Sequence, residues 1–157
     1  MADQPLPGAG RRHGLTITRV FNAPRERVWR EWTEPDRFAD WFGGPDAEVP
    51  IATVAMDVRP GGAWRATMFA GPERREIRWA GEYREVAAPE RLVLTMSDRA
   101  GEDDGELVVV VLADLGDGRT EMVLEQHGTM PPQVYDAARN GWGVFLDRLA
   151  ERLAAEA

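Results

Sequence analysis

The feature that most constrains this chain is a change of hydrophobic period at Pro131-Pro132. Ahead of it, apolar residues recur at every second position, the pattern of half-buried strands. Beyond it, Val134, Ala138, Trp142, Phe145, Leu149 and Leu153 recur at steps of four, four, three, four and four. That spacing draws one stripe along a helix of more than twenty residues, about 30 Å long. Asp136, Arg139, Asp147, Glu151 and Arg152 fall on its polar side. A run of strands and one long striped helix have to bury each other, which predicts an α+β domain. Gly141 and Gly143 flank Trp142, and each costs a helix interior about 1 kcal/mol relative to alanine. The pair predicts either close packing at that ring or a gap beside it.

The strands are legible from parity. Residues 15–21 put Leu15, Ile17, Arg19 and Phe21 on one face. A strand is predicted over 48–58 and a turn at Arg59-Pro60-Gly61-Gly62. Residues 63–69 align Trp64, Ala66 and Met68, and 77–86 align Trp79, Gly81 and Tyr83 against Glu82 and Arg84. After Pro89, Leu92, Leu94 and Met96 oppose Val93, Thr95 and Ser97. An acidic loop, RAGEDDGE, leads to a strand over 107–115, and Asp117-Gly118 marks a tight turn. The strand over 120–127 sets Met122, Leu124 and Gln126 against Glu121, Glu125 and His127. Such short connections require antiparallel pairing, and six or seven twisted strands curl into a concave sheet.

Between the first and second strands the pattern is helical. Asn22 is the predicted N-cap, with Pro24 in the first turn. Val28, Trp29 and Trp32 share one side. Pro35 interrupts, a second short helix over 36–41 brings in Phe38, Trp41 and Phe42, and Gly43-Gly44-Pro45 stops it.

Composition narrows the functional classes. The formal charge of −8 opposes binding to phosphate backbones, so no nucleic-acid partner is expected. All 19 basic residues are arginine, which fits a G+C-rich genome. The absence of cysteine removes disulfides, thiol nucleophiles and cysteine metal sites, and accords with a cytoplasmic location. The longest apolar run, residues 107–113, is far short of the ~20 residues of a membrane span. The first 14 residues lack the apolar core of a signal peptide and read as a disordered leader, leaving residues 15–157 as a single domain.

Several local words then point the same way. VFNAPRERVWREWTEPDRFADWFG carries Phe21, Ala23-Pro24, Val28-Trp29, Thr33, Pro35 and Trp41, preceded by Arg19 and followed by Gly44-Pro45. RPGGAW, AGEYREVAAPERLVLTM and NGWGVFLDRLAERL follow in order. As a set, over residues 15–155, they resemble the START-like (SRPBCC) superfamily. Within it they resemble the family named after the activator of the 90-kDa heat-shock-protein ATPase. One departure is Met96, where many relatives carry an aromatic residue. The resemblance implies the helix-grip fold: a curved antiparallel sheet of six to seven strands around a long C-terminal helix, with two short helices after the first strand. It also implies three kinds of role. These are binding of a hydrophobic small molecule in an internal cavity, partnership with a chaperone in the stress response, and a polyketide cyclase or aromatase activity.

By parity the cavity lining is Trp64, Met68, Trp79, Tyr83, Met96, Met122, Leu124, Gln126, Trp142 and Phe145, with Trp41 at its mouth. Aromatic area, adaptable Met side chains and a few polar groups suit an apolar ligand. The same residues could equally fill a core. Gln126 is the polar group best placed to face inward, and Arg19 is expected to form a structural ion pair or to snorkel to the surface rather than clamp a substrate. His127 faces away by parity, and Glu102, Asp103, Asp104 and Glu106 read as a solvated loop. Phosphate loops, nucleophile elbows and zinc-binding helices are missing from the sequence. The expectation is a non-catalytic binder without metal or cofactor, monomeric or homodimeric, with Tyr83, Gln126 and His127 as the polar groups an enzyme would use.

Overall fold

The computed structural model describes residues 13–98 and 105–155. β1 (His13–Phe21) is followed by α1 (Arg25–Thr33), α2 (Pro35–Trp41), β2 (Ala47–Glu48), a single 3₁₀ turn (Ile51–Thr53) and β3 (Ala55–Met56). β4 (Ala63–Ala70), β5 (Arg75–Ala87), β6 (Arg91–Met96), β7 (Glu106–Asp114), β8 (Thr120–Gly128) and α3 (Pro132–Ala155) complete it. The strands form one antiparallel sheet in the order β1-β8-β7-β6-β5-β4-β2, with β3 also on β4. This is the α+β helix-grip architecture: among the described residues, six full-length strands, two two-residue strands, two short helices and the long terminal helix.

Register carries the predicted face across the sheet. Leu15 lies opposite Gln126, Ile17 opposite Leu124 and Arg19 opposite Met122. The same row continues through Val108, Val110 and Leu112 of β7 and Leu92 and Leu94 of β6. Val108, Met122 and Leu124 are completely buried, so this concave face is the core. The buried stripe of α3 is Tyr135, Trp142, Leu146, Leu149 and Leu153. It is rotated at its start from the predicted one. Val134 is 36% exposed, because Tyr135 turns inward and its hydroxyl accepts the Met130 N–H at 3.3 Å. Among the described residues, no helix is long and apolar enough to cross a membrane.

Three local expectations are corrected. The strand predicted over 48–58 is broken into β2, the 3₁₀ turn and β3, because Pro50 has no N–H to give a ladder. Thr53 replaces part of that ladder with its hydroxyl, which donates to the Pro50 carbonyl (2.7 Å) and accepts the Thr67 N–H (3.1 Å). Pro24, rather than Asn22, occupies the N-cap of α1, with no side-chain cap. β1 begins at His13, two residues before the predicted boundary. The predicted disordered leader otherwise lies outside the described residues, as does most of the acidic loop.

Among the described residues, Glu31 is the one buried carboxylate, 1% exposed within α1. Arg152 of α3 meets it with Nε at 2.7 Å and Nη2 at 3.2 Å. The same guanidinium pairs with Asp40 of α2, and Arg37 adds a contact to Glu31 at 3.3 Å. The Glu31 main-chain carbonyl accepts the Trp41 indole N–H at 2.9 Å. One residue thus ties all three helices. A buried pair loses more when one partner is removed than when both are replaced. Glu31→Ala is therefore expected to lower stability by about 3–5 kcal/mol in urea titration. Glu31→Leu combined with Arg152→Leu should recover most of that loss.

A close approach explains Gly81. It lies opposite Trp64, whose indole N–H crosses to the Thr95 carbonyl at 2.8 Å. A Cβ at Gly81 would collide with that carbonyl and with the indole nitrogen. Gly81→Ala should cost about 1–3 kcal/mol, read from the denaturation midpoint.

Candidate functional site

Antiparallel pairing brings the predicted lining residues of β4, β5, β6 and β8 onto one surface, and α3 lies across it nearest to β1. Trp64, Met68, Tyr83, Met96, Met122, Gln126 and Trp142 are all buried there. Trp79 and Phe145 are only partly buried. Trp41, predicted at the mouth, is 0% exposed and belongs to the core; its ring packs edge-on against Trp32 and Phe38 (4.9 and 5.2 Å).

The rings form a connected array, with Phe42 at its hub. Phe42 stacks on Phe38 at 4.5 Å and meets Trp64, Trp79, Trp142 and Phe145 in T-shaped contacts at 5.4–6.3 Å. Centroid separations of this size are the favourable range for aromatic pairs. Phe42 is placed there by the turn after α2, where Gly43 and Gly44 hold φ of +101° and +75°, conformations that glycine tolerates.

Close packing does not explain Gly141 and Gly143. A Cβ on either would meet nothing within 4 Å. These glycines therefore leave the flanks of α3 bare on both sides of Trp142. Gly141 lies one turn before Phe145 on the same flank, so the bare strip continues directly onto that ring.

One polar chain crosses the apolar surface. The Trp142 indole N–H donates to the Gln126 amide oxygen at 2.7 Å, and the Gln126 amide nitrogen donates to Glu106 at 3.4 Å. Gln126 is 7% exposed, so this bonding satisfies a group that would otherwise be costly to bury. Glu106 corrects the sequence reading. It opens β7 opposite Met96, rather than belonging to the solvated loop. Its parity with Val108, Val110 and Leu112 is the signal that identifies it. Phe42 and Glu31 were also missed as organising residues, because a lone Phe at a helix end and a helical Glu read as ordinary surface or core.

Other candidates have structural duties. Arg19 pairs with Asp147 at 2.7 Å and donates to the Gly143 carbonyl at 3.2 Å, the expected ion pair. His127 takes the opposite face of β8 from Gln126. A surface groove of about 740 Å³ opens between α2 and the β2 segment, lined by Asp36, Asp40 and Glu48 with Arg37 and Arg152. Both arginines are already engaged by Glu31.

The family model described as "Activator of Hsp90 ATPase homolog 1-like protein" matches residues 22–154. This chain belongs to that family. Its solved relatives share the fold. A protein from Chromobacterium violaceum is 25% identical, with a TM-score of 0.77 over 90% of this chain and 97% of its own. An AHSA1 protein from Silicibacter pomeroyi is 20% identical, with a TM-score of 0.81 over 92% and 100%. A Mycobacterium smegmatis protein is 22% identical, with a TM-score of 0.74 over 92% of each chain. No curated protein matches the chain.

Within this family member, Tyr83 is a poor proton donor. Burial, with a smaller contribution from the Asp57 charge, pushes its phenol well above the ordinary 10. The folded state therefore holds this proton more tightly than the unfolded chain. The resulting stability is complete below pH 10 and declines as the pH rises and the unfolded tyrosine ionises. Melting temperature should fall more steeply above pH 10 in the unmodified chain than in Tyr83→Phe.

Proposed function

We propose that this chain binds an apolar or aromatic small molecule between α3 and the concave sheet, and that it does so without catalysing a reaction. One observation carries the reading. The bare flank of α3 at Gly141 runs onto a partly exposed ring, Phe145, which shares the Phe42 ring with Trp79. Flat ligands gain most from such aromatic walls, and a site of this kind needs few polar groups. The Trp142–Gln126–Glu106 chain supplies polarity at one end of the same face.

The polar groups an enzyme would use are poorly disposed for it. Tyr83 holds its proton, and Gln126 and His127 project to opposite faces of β8. The family description supports a second role, a chaperone partner, which predicts stimulation of Hsp90 ATPase without any small molecule. A cytoplasmic site of action fits either role.

Gly141→Leu separates filling the flank from damaging the fold. Leucine is the better helix former by up to about 1 kcal/mol, so the melting temperature should hold or rise. Naphthalene binding, followed by tryptophan quenching, should weaken roughly tenfold, equivalent to about 1.4 kcal/mol. Native mass spectrometry of the purified protein should show a co-purified mass that denaturation releases. Unchanged affinity in Gly141→Leu, or no binding by the unmodified chain, would sink the reading.

A further inference from the structure

The buried indoles divide by the fate of their N–H groups. Trp41 donates to the Glu31 carbonyl, Trp64 to the Thr95 carbonyl and Trp142 to the Gln126 amide oxygen, all within 2.9 Å. The nitrogens of Trp32 and Trp79 are shielded from water and have no partner among the described residues. A buried donor without an acceptor is costly and calls for a specific explanation.

The two orphans differ in surroundings. Trp32 is enclosed by Phe38, Trp41 and Trp142, with centroids 4.9–6.4 Å away, and an aromatic face is itself a weak acceptor. Trp79 has Phe42 as its ring neighbour, at 6.0 Å. Along its face of β5 stand Ile77 and Gly81, and Ala66 lies directly opposite on β4. None of these side chains offers an oxygen or nitrogen. The Trp79 ring is also only partly buried, and Phe42 links it to Phe145 beside the bare flank of α3.

We propose that the bound molecule supplies the missing acceptor. It is a neutral aromatic compound whose oxygen or ring nitrogen takes the Trp79 N–H while its flat body lies against Phe42 and Phe145. This rests on the proposed ligand-binding role and adds the chemical class of the ligand. Neutrality follows from the apolar neighbours, which would penalise a charge. Trp79 is then the residue that sets specificity, and the protein prefers a carbonyl or heteroaromatic compound over a hydrocarbon of the same shape.

The test compares 2-acetylnaphthalene with its hydrocarbon counterpart 2-isopropenylnaphthalene, titrated into the full chain and into Trp79→Phe. The ratio of ketone to hydrocarbon affinity should fall about five- to tenfold in the variant, the range for one hydrogen bond. In the unmodified chain, the Trp79 indole N–H resonance should move downfield with the ketone and not with the hydrocarbon. That measurement decides the matter even if Trp79→Phe does not fold. If both compounds bind, but the ratio is unchanged or the resonance ignores the ketone, this inference fails while small-molecule binding stands. If the unmodified chain binds neither compound, both fail.

Discussion

A carboxylate with no access to water holds the helical layer together. Burying a carboxylate is costly without partners, and those of Glu31 come from elsewhere in the chain: Arg152 is 121 residues away and Arg37 is on the neighbouring helix. The cost of desolvating Glu31 is therefore offset only when α1, α2 and α3 are all in place. Its main-chain carbonyl also receives Trp41, so the same residue anchors one end of the aromatic array. Shifting α2 would move Phe38, Trp41 and Phe42 together, and with them the wall shared by Trp79 and Trp142.

The sheet supplies a second, independent constraint. Pairing of β6, β7 and β8 lays Leu92, Val110 and Leu124 in one row, a surface that forms from strand register alone. The helices then decide how much of that surface is covered. α3 leans toward β1, where Arg139 donates to the Thr16 carbonyl at 2.7 Å and Arg19 reaches the Gly143 carbonyl. The β4–β5 side is covered by rings from the α2 turn instead.

Much of this was legible in the sequence because period-2 and period-3.6 patterns report which face is buried. Parity placed Met122, Leu124 and Gln126 on the core side of β8, and the structure buries all three. It failed where burial depends on partners far away in the chain. Glu31 reads as a surface residue of α1 until Arg152 is brought against it. Val134 and Tyr135 are both apolar enough to begin the α3 stripe, and the Tyr135 contact to Met130, not the period, chooses between them. The segment at Pro50 misled for a simpler reason, since alternation continued through a residue unable to join a ladder. Of the aromatic array, Trp64, Trp79, Trp142 and Phe145 were visible as a set but the hub was not. Phe42 acquires its role from the backbone reversal at Gly43-Gly44, which directs its ring among those of Trp64, Trp79, Trp142 and Phe145.

The contacts between α3 and β1 bear on how the proposed ligand would enter. β1 is an edge strand, and an uncovered edge invites pairing with another chain. Arg139 occupies one of its carbonyls and the Arg19–Asp147 pair pins the helix alongside. Lifting α3 on that side would bare a template for aggregation, so traffic through it is hazardous. The opposite margin, beside Gly141 and Phe145, lies away from the β1 edge, so entry of the proposed ligand there would leave that edge covered. The two margins of α3 thus differ in kind, one guarded by two arginines and the other left bare at Gly141.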